Sequence, residues 1–78
     1  MEKEIKDLTL LLLYLTHWEE KSPAEFGKIR RSWKGYPFEA LDALEEDGLL
    51  SQTRRAKSVY LTEVGVKKAE ELKRKYKA

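Results

Sequence analysis

The chain has 78 residues, a net charge of +2 and no cysteine. That length suits one small domain with a single core, spanning residues 1–78, and is too short for a catalytic domain plus a second module. Without cysteine there is no disulfide staple and no thiolate for metal or redox chemistry, so the core must be dense and a reducing, cytoplasmic setting is expected.

No membrane contact is expected either. The longest apolar run, Leu10 to Leu15, is far below the roughly 20 residues that cross a bilayer, and the mixed-charge start MEKEIKD is unlike a signal peptide.

From Lys3 to Glu20 the apolar positions Ile5, Leu8, Leu12 and Leu15 recur at helical spacing, with Leu11 and Trp18 flanking them. This predicts an amphipathic first helix. Leu10, Leu13 and Tyr14 form a second apolar face, which needs a cover of its own. Two covers stay open: the C-terminal helix of the same chain, or a second copy in a two-fold dimer.

The segment KSPAEFGKIRRSWKG opens with Ser22, Pro23 and Glu25 in the order of N-cap, first helical position and capping-box acid. It predicts a second helix with Phe26, Ile29 and Trp33 towards the core and Gly35 as a left-handed cap. Gly27 disfavours it by roughly 1 kcal/mol relative to Ala.

Pro37 suits the first turn of a third helix, whose apolar face is Phe38, Leu41 and Leu44 and whose end is marked by Gly48. Leu49 to Thr53 and Ser58 to Leu61 then read as the two strands of a hairpin, with the polar tip RRAK between them. Thr62 is a good N-cap for a last helix carrying Ala69, Leu72 and Tyr76, although Gly65 stands where a capping box has its acid. The pairs Glu63/Lys67, Glu70/Arg74 and Glu71/Lys75 suit its wet side.

Charge is distributed in blocks of alternating sign. Residues 1–20 carry −3, residues 21–36 +4, residues 37–48 −5, residues 49–60 +3 and residues 61–78 +3. The abundance of Lys and Glu, with no Asn and a single Gln, is a composition common in proteins from hot environments.

The order of three helices, a two-stranded hairpin and a C-terminal helix is that of a winged helix. Across Phe38 to Gly65, the spacing L-x-x-L-x-x-x-G-L-L, a basic turn, then V-Y-L-T-E-V-G, is similar to winged-helix regulators of the multiple-antibiotic-resistance and phenolic-acid types. The stretch RRSWKGYPFEALDALEEDGLL also resembles small stand-alone prokaryotic proteins of uncharacterised function with a W-K-G-[YF] signature. The matches cover residues 30–65, about half the chain.

The expected fold class is therefore α+β, mostly α: a winged helix with three helices, a two-stranded β-hairpin wing and a C-terminal helix. The resemblance implies a third helix in the DNA major groove and a wing near phosphates. This sequence departs from that pattern. Glu39, Asp42, Glu45, Glu46 and Asp47 crowd the third helix, no Lys or Arg lies between Pro37 and Gly48, and affinity for DNA comes chiefly from neutralised phosphates.

The basic residues flank that acidic helix: Lys28, Arg30, Arg31 and Lys34 before it, Arg54, Arg55 and Lys57 after it. They are the candidate nucleic-acid contacts, with Trp33, Tyr36 or Tyr60 available to stack on bases. Against this stands the plainer reading of solvated charges that balance the acidic helix. The C-terminal KRKYK has the same two readings, a helix end whose cations complement the dipole or a basic tail.

His17 is the only histidine and neither a zinc site nor a nucleophile with its base can be assembled around it. No glycine-rich phosphate loop is present. The expectation is a non-enzyme with no cofactor and no metal. It would be a nucleic-acid-binding or transcription-associated factor whose partner is DNA or RNA. The alternative is a protein-interaction module or homodimer that uses the acidic helix and the interface candidates Leu10, Leu13, Tyr14, Trp33 and Tyr76.

Overall fold

The computed structural model describes residues 2–21, 28–52 and 57–76, with the strand positions Lys21 and Lys28 given by backbone alone. The elements are α1 (Lys3–Leu15), β1 (Trp18–Lys21), β2 (Lys28–Trp33), α2 (Phe38–Glu46), β3 (Leu50–Gln52), β4 (Ser58–Leu61) and α3 (Glu63–Tyr76). The strands form one antiparallel sheet in the order β1-β2-β4-β3. The chain is thus an α+β protein in which three helices accompany a four-stranded sheet.

The first helix is shorter than its expected span. It stops at Leu15 because Thr16 turns its hydroxyl back to donate to Leu12 O at 2.7 Å, and Trp18 enters the sheet opposite Arg31. A hydroxyl that satisfies a last-turn carbonyl competes with continuation of the helix.

The faces of α1 are also reversed from expectation. Leu10 and Leu13 are fully buried and Leu11 nearly so, whereas Ile5, Leu8, Leu12 and Leu15 lie outward. A helix apolar on nearly all sides carries no internal mark of which stripe meets the core. Packing against α3, α2 and β2 chose the stripe centred on Leu10 and Leu13. These two are covered by their own chain and are withdrawn as interface candidates.

The expected second helix is a correction of a different kind. Residues 28–33 form β2, and Ser22 to Gly27, including the anticipated capping box, lie outside the described residues. Ile29 and Trp33 satisfy a helical spacing, but Ile29, Arg31 and Trp33 also alternate with Arg30 and Ser32. The strand period prevails because β2 is bonded on both sides, to β1 and to β4, so both rows of backbone polar groups find partners. Gly35 does not adopt the left-handed conformation expected of it; among the described residues only Gly48 does, with φ 76°.

From α2 onward the expected elements are present. Ala40, Leu41 and Leu44 are buried, while Phe38, expected on the same face, is exposed at the N-terminal end. Gly48 N donates to Glu45 O at 3.0 Å and Leu49 N to Leu44 O at 3.0 Å, the paired bonds of a Schellman ending that needs the left-handed glycine. The chain then passes directly into the β3 and β4 hairpin. The tip at residues 53–56 lies outside the described residues.

Thr62 joins these elements. Its hydroxyl donates to Gly48 O at 2.7 Å and accepts from Gly65 N at 2.9 Å, while its own N donates to Leu49 O at 3.2 Å. It is the N-cap of α3 and also a clamp on the end of α2. Gly65 sits so close that a Cβ there would be 1.8 Å from Leu49 O, which explains why a glycine occupies the capping-box position. The core enclosed between the helices and one face of the sheet comprises Leu10, Leu11, Leu13, Leu41, Leu44, Leu50, Val59, Leu61, Val66, Ala69 and Leu72.

Gly65→Ala is expected to lower unfolding free energy by about 3 kcal/mol, because backbone must retreat from backbone. Thr62→Ala should lose about 1 kcal/mol for the cap. Gly35→Ala, where the added methyl meets nothing within 4 Å, should change stability by less than about 0.5 kcal/mol. Urea unfolding of the three variants checks the order.

Candidate functional site

Residues directly opposite one another on neighbouring strands point to the same side of a sheet. Leu50, Leu61 and Arg30 are aligned across β3, β4 and β2, as are Gln52, Val59 and Ser32. Leu50, Leu61, Val59 and Ser32 are all buried, so this side meets the helices. The other side carries a row crossing all four strands: Trp18, Arg31, Tyr60 and Ser51. Trp33 and Ser58 form the next row and Glu20 and Ile29 the one on the far side. Among the described residues no helix packs on this second face.

Trp33, on that face, is 63 % exposed. Its ring lies 5.0 Å from that of Trp18, tilted by 45°. The Glu20 carboxylate accepts from Trp18 Nε1 at 3.2 Å through one oxygen and from Arg31 Nη1 at 3.3 Å through the other. Arg31 also donates from Nε to Ser58 Oγ at 3.2 Å and lies over the Tyr60 ring, 4.4 Å from its centroid. Guanidinium, carboxylate and two aromatic rings therefore hold one another in place. The result is a preorganised surface on which flat groups can stack.

This geometry redistributes the basic candidates. Arg30 and Arg31 are adjacent in sequence and lie on opposite faces, so they cannot belong to one patch. Arg31 pairs with Glu20 and lies over the Tyr60 ring, which makes it a positioning residue for the aromatic face. Lys34 and Lys57 are brought together at the end of β2 and β4, where Lys34 N donates to Lys57 O at 2.9 Å. Lys57 is exposed. Lys28 contributes a strand position opposite Lys21, and Arg54 and Arg55 lie outside the described residues.

The acidic helix points elsewhere. Asp42 Oδ1 and Glu45 Oε1 accept from Gln52 Nε2 at 2.7 and 3.3 Å, Glu45 Oε2 accepts from Gln52 N at 3.0 Å, and Asp47 pairs with Lys6 at 2.5 Å. These carboxylates tie α2 to the end of β3 and to α1. His17 stacks on Tyr14 at 5.1 Å and its Nδ1 bonds Tyr14 O, closing the end of α1. Tyr14 is thereby packed against the core, and Tyr76, near the end of α3, has Lys75 over its ring at 5.5 Å. Among the described residues no group of His, Cys, Asp or Glu could hold a metal ion, and no helix is long and apolar enough to cross a membrane.

Trp18 was not among the candidates read from sequence, whereas Tyr60 was named there as able to stack on bases. The alternation in SVYL and KIRRSW is the signal that sends Tyr60 and Arg31 away from the core once those segments are strands, and Trp18 joins them through the pairing of β1 with β2.

Fold and face together define a two-layer α+β protein with an aromatic outer sheet surface on which, among the described residues, no helix packs. The chain belongs to the family described as "Domain of unknown function (DUF6429)", whose model matches residues 1–78. It is similar to "Uncharacterized protein y4hR" of Sinorhizobium fredii, with 36 % identity over 75 residues, covering 95 % of this chain and 89 % of that one. No solved structure matches.

Arg31→Ala should cost about 2 kcal/mol, since it removes bonds from a partly buried guanidinium to Ser58 and Glu20 and uncovers Tyr60. Lys57→Ala, on the exposed end, should cost less than about 0.5 kcal/mol. Urea unfolding followed by tryptophan emission reads both effects.

Proposed function

We propose that the chain binds single-stranded nucleic acid across the open face of its sheet. The observation that carries this reading is the exposed ring of Trp33 beside Trp18, continued through Arg31 to Tyr60 in one plane of the sheet. Aromatic side chains on a sheet accept the π-face of any base, at about 1 to 3 kcal/mol for each base stacked. Lys34 and Lys57 supply positive charge at one end of the platform for the phosphates between those bases.

In this reading α2, the β3 and β4 hairpin and α3 are the wing-bearing half of a winged-helix domain. The hairpin β1 and β2 stands where the first helix of a helix-turn-helix pair would be. Duplex reading through α2 is disfavoured by the exposed Glu39, Asp42, Glu45 and Glu46, which would approach a polyanion. The alternative is a protein partner with a basic surface on α2, and the same carboxylates favour it through charge complementarity.

Fluorescence anisotropy with labelled single-stranded DNA, single-stranded RNA and duplex, each across a salt series, tests the proposal. Single strands should bind more tightly than duplex, with affinity falling as salt rises. Trp33→Ala and Tyr60→Ala should each weaken binding by about tenfold or more. Lys57→Ala should reduce the salt slope by about one unit. Absence of binding at low salt, or indifference to Trp33→Ala, would falsify the proposal.

A further inference from the structure

Among the described strand residues of the outer sheet face, Glu20 is the single carboxylate. Each of its oxygens holds one partner, Arg31 Nη1 at 3.3 Å on Oε1 and Trp18 Nε1 at 3.2 Å on Oε2, and its side chain is still 42 % exposed. An ionised carboxylate has about four acceptor positions and no donor, so each oxygen keeps one open. The bond to Nε1 also fixes where the group stands. It lies at the rim of the Trp18 ring, level with the surface on which a base would stack.

We propose that Glu20 selects guanine among the bases that stack on this platform. The inference rests on the single-strand reading above and deepens it. A base laid on the Trp18 ring carries its Watson–Crick edge past the rim, towards the carboxylate. Guanine presents two adjacent donors there, N1–H and the 2-amino group, which match two oxygens side by side as a guanidinium does. Adenine and cytosine place a ring-nitrogen lone pair beside their amino group, and uracil or thymine flanks its N3–H with carbonyl oxygens. Each of these sets an acceptor against the anion, which guanine avoids.

The neighbouring groups leave that choice to Glu20. Arg31 has already directed Nε to the buried Ser58 and Nη1 to Glu20. The hydroxyls of Ser51 and Tyr60 can donate or accept, so they discriminate little between bases. Arg31 also offsets the charge of Glu20, which lets a carboxylate stand beside a phosphate chain that would repel a lone acid.

Fluorescence anisotropy with three single strands of about ten nucleotides, thymine alternating with guanine, inosine or cytosine, tests the selection at low salt. The guanine strand should bind about tenfold tighter than the cytosine strand or more, the discrimination that one bidentate pair supplies. Inosine keeps N1–H and lacks the 2-amino group, so its strand should fall between them. Equal affinity for the three strands overturns the proposal and leaves the platform standing. If none of them binds, the platform fails and this inference with it.

Glu20→Gln keeps the size of the side chain and an acceptor for Trp18, but turns an amide donor towards guanine. In this variant the guanine strand should lose its advantage, while the cytosine strand binds nearly as it does to the natural chain. A Glu20 that only orders the rings would instead weaken every strand by one factor and preserve their ratio, and that result overturns the proposal. Far-ultraviolet spectra establish that the variant is folded. Should it not fold, the comparison of guanine with inosine on the natural chain decides, and equal binding of those two strands counts against the selection.

Discussion

Gly65 lies against the backbone carbonyl of Leu49, and the rest of the molecule is arranged around that approach. No side chain fits between them, so the start of α3 can seat directly on the strand entrance that follows α2. Thr62 bonds both sides of the junction, to Gly48 O and from Gly65 N. The Schellman ending of α2 sets the angle at which the chain leaves that helix. Asp47, one residue before the left-handed glycine, reaches Lys6 of α1. Four elements therefore converge on residues 47–49. The closeness of that junction allows Leu44, Leu50, Val66 and Leu72 to share one core with Leu10 and Leu13.

With the three helices gathered on one side, the sheet has two unlike faces. The inner one buries Leu50, Val59 and Leu61, with the buried Ser32 among them, whose hydroxyl meets Thr16 at 3.2 Å. The outer one is aromatic and charged, and its order comes from the Glu20 carboxylate rather than from burial. Glu20 holds the Trp18 indole and the Arg31 guanidinium at once, and Arg31 in turn covers Tyr60. A pair in this half-exposed setting contributes modestly to stability. Its greater effect is to hold the rings in a single orientation, which lowers the ordering cost of any stacked ligand.

Central packing of α1 has a parallel consequence. A helix with apolar residues on nearly every side can be enclosed by α2, α3 and β2 over most of its circumference, and what remains outside is still apolar. The uncovered seam and the buried one are chemically alike. Leu8 and Leu12 differ from Leu10 and Leu13 in position alone, so the outward stripe follows from how the other elements close around the helix.

The sequence by itself determined the second half of the chain. Gly48 ends α2, Thr62 starts α3, and Leu50, Val59 and Leu61 form the strands between them, because left-handed backbone, capping hydroxyls and alternation are local requirements that particular residue types meet. It also determined that α2 is acidic. Three matters were decided by tertiary structure. KIRRSW satisfies a helical and a strand period equally, and only its pairing with β1 and β4 resolved it. LTLLLLYL offers two apolar stripes, and only packing chose between them. Trp18, Arg31 and Tyr60, aligned in one row of the outer face, are separated by 13 and 29 residues, and become neighbours only through strand register. Local rules act over a few residues, whereas the choice between equivalent faces and periods rests on contacts between segments distant in the chain.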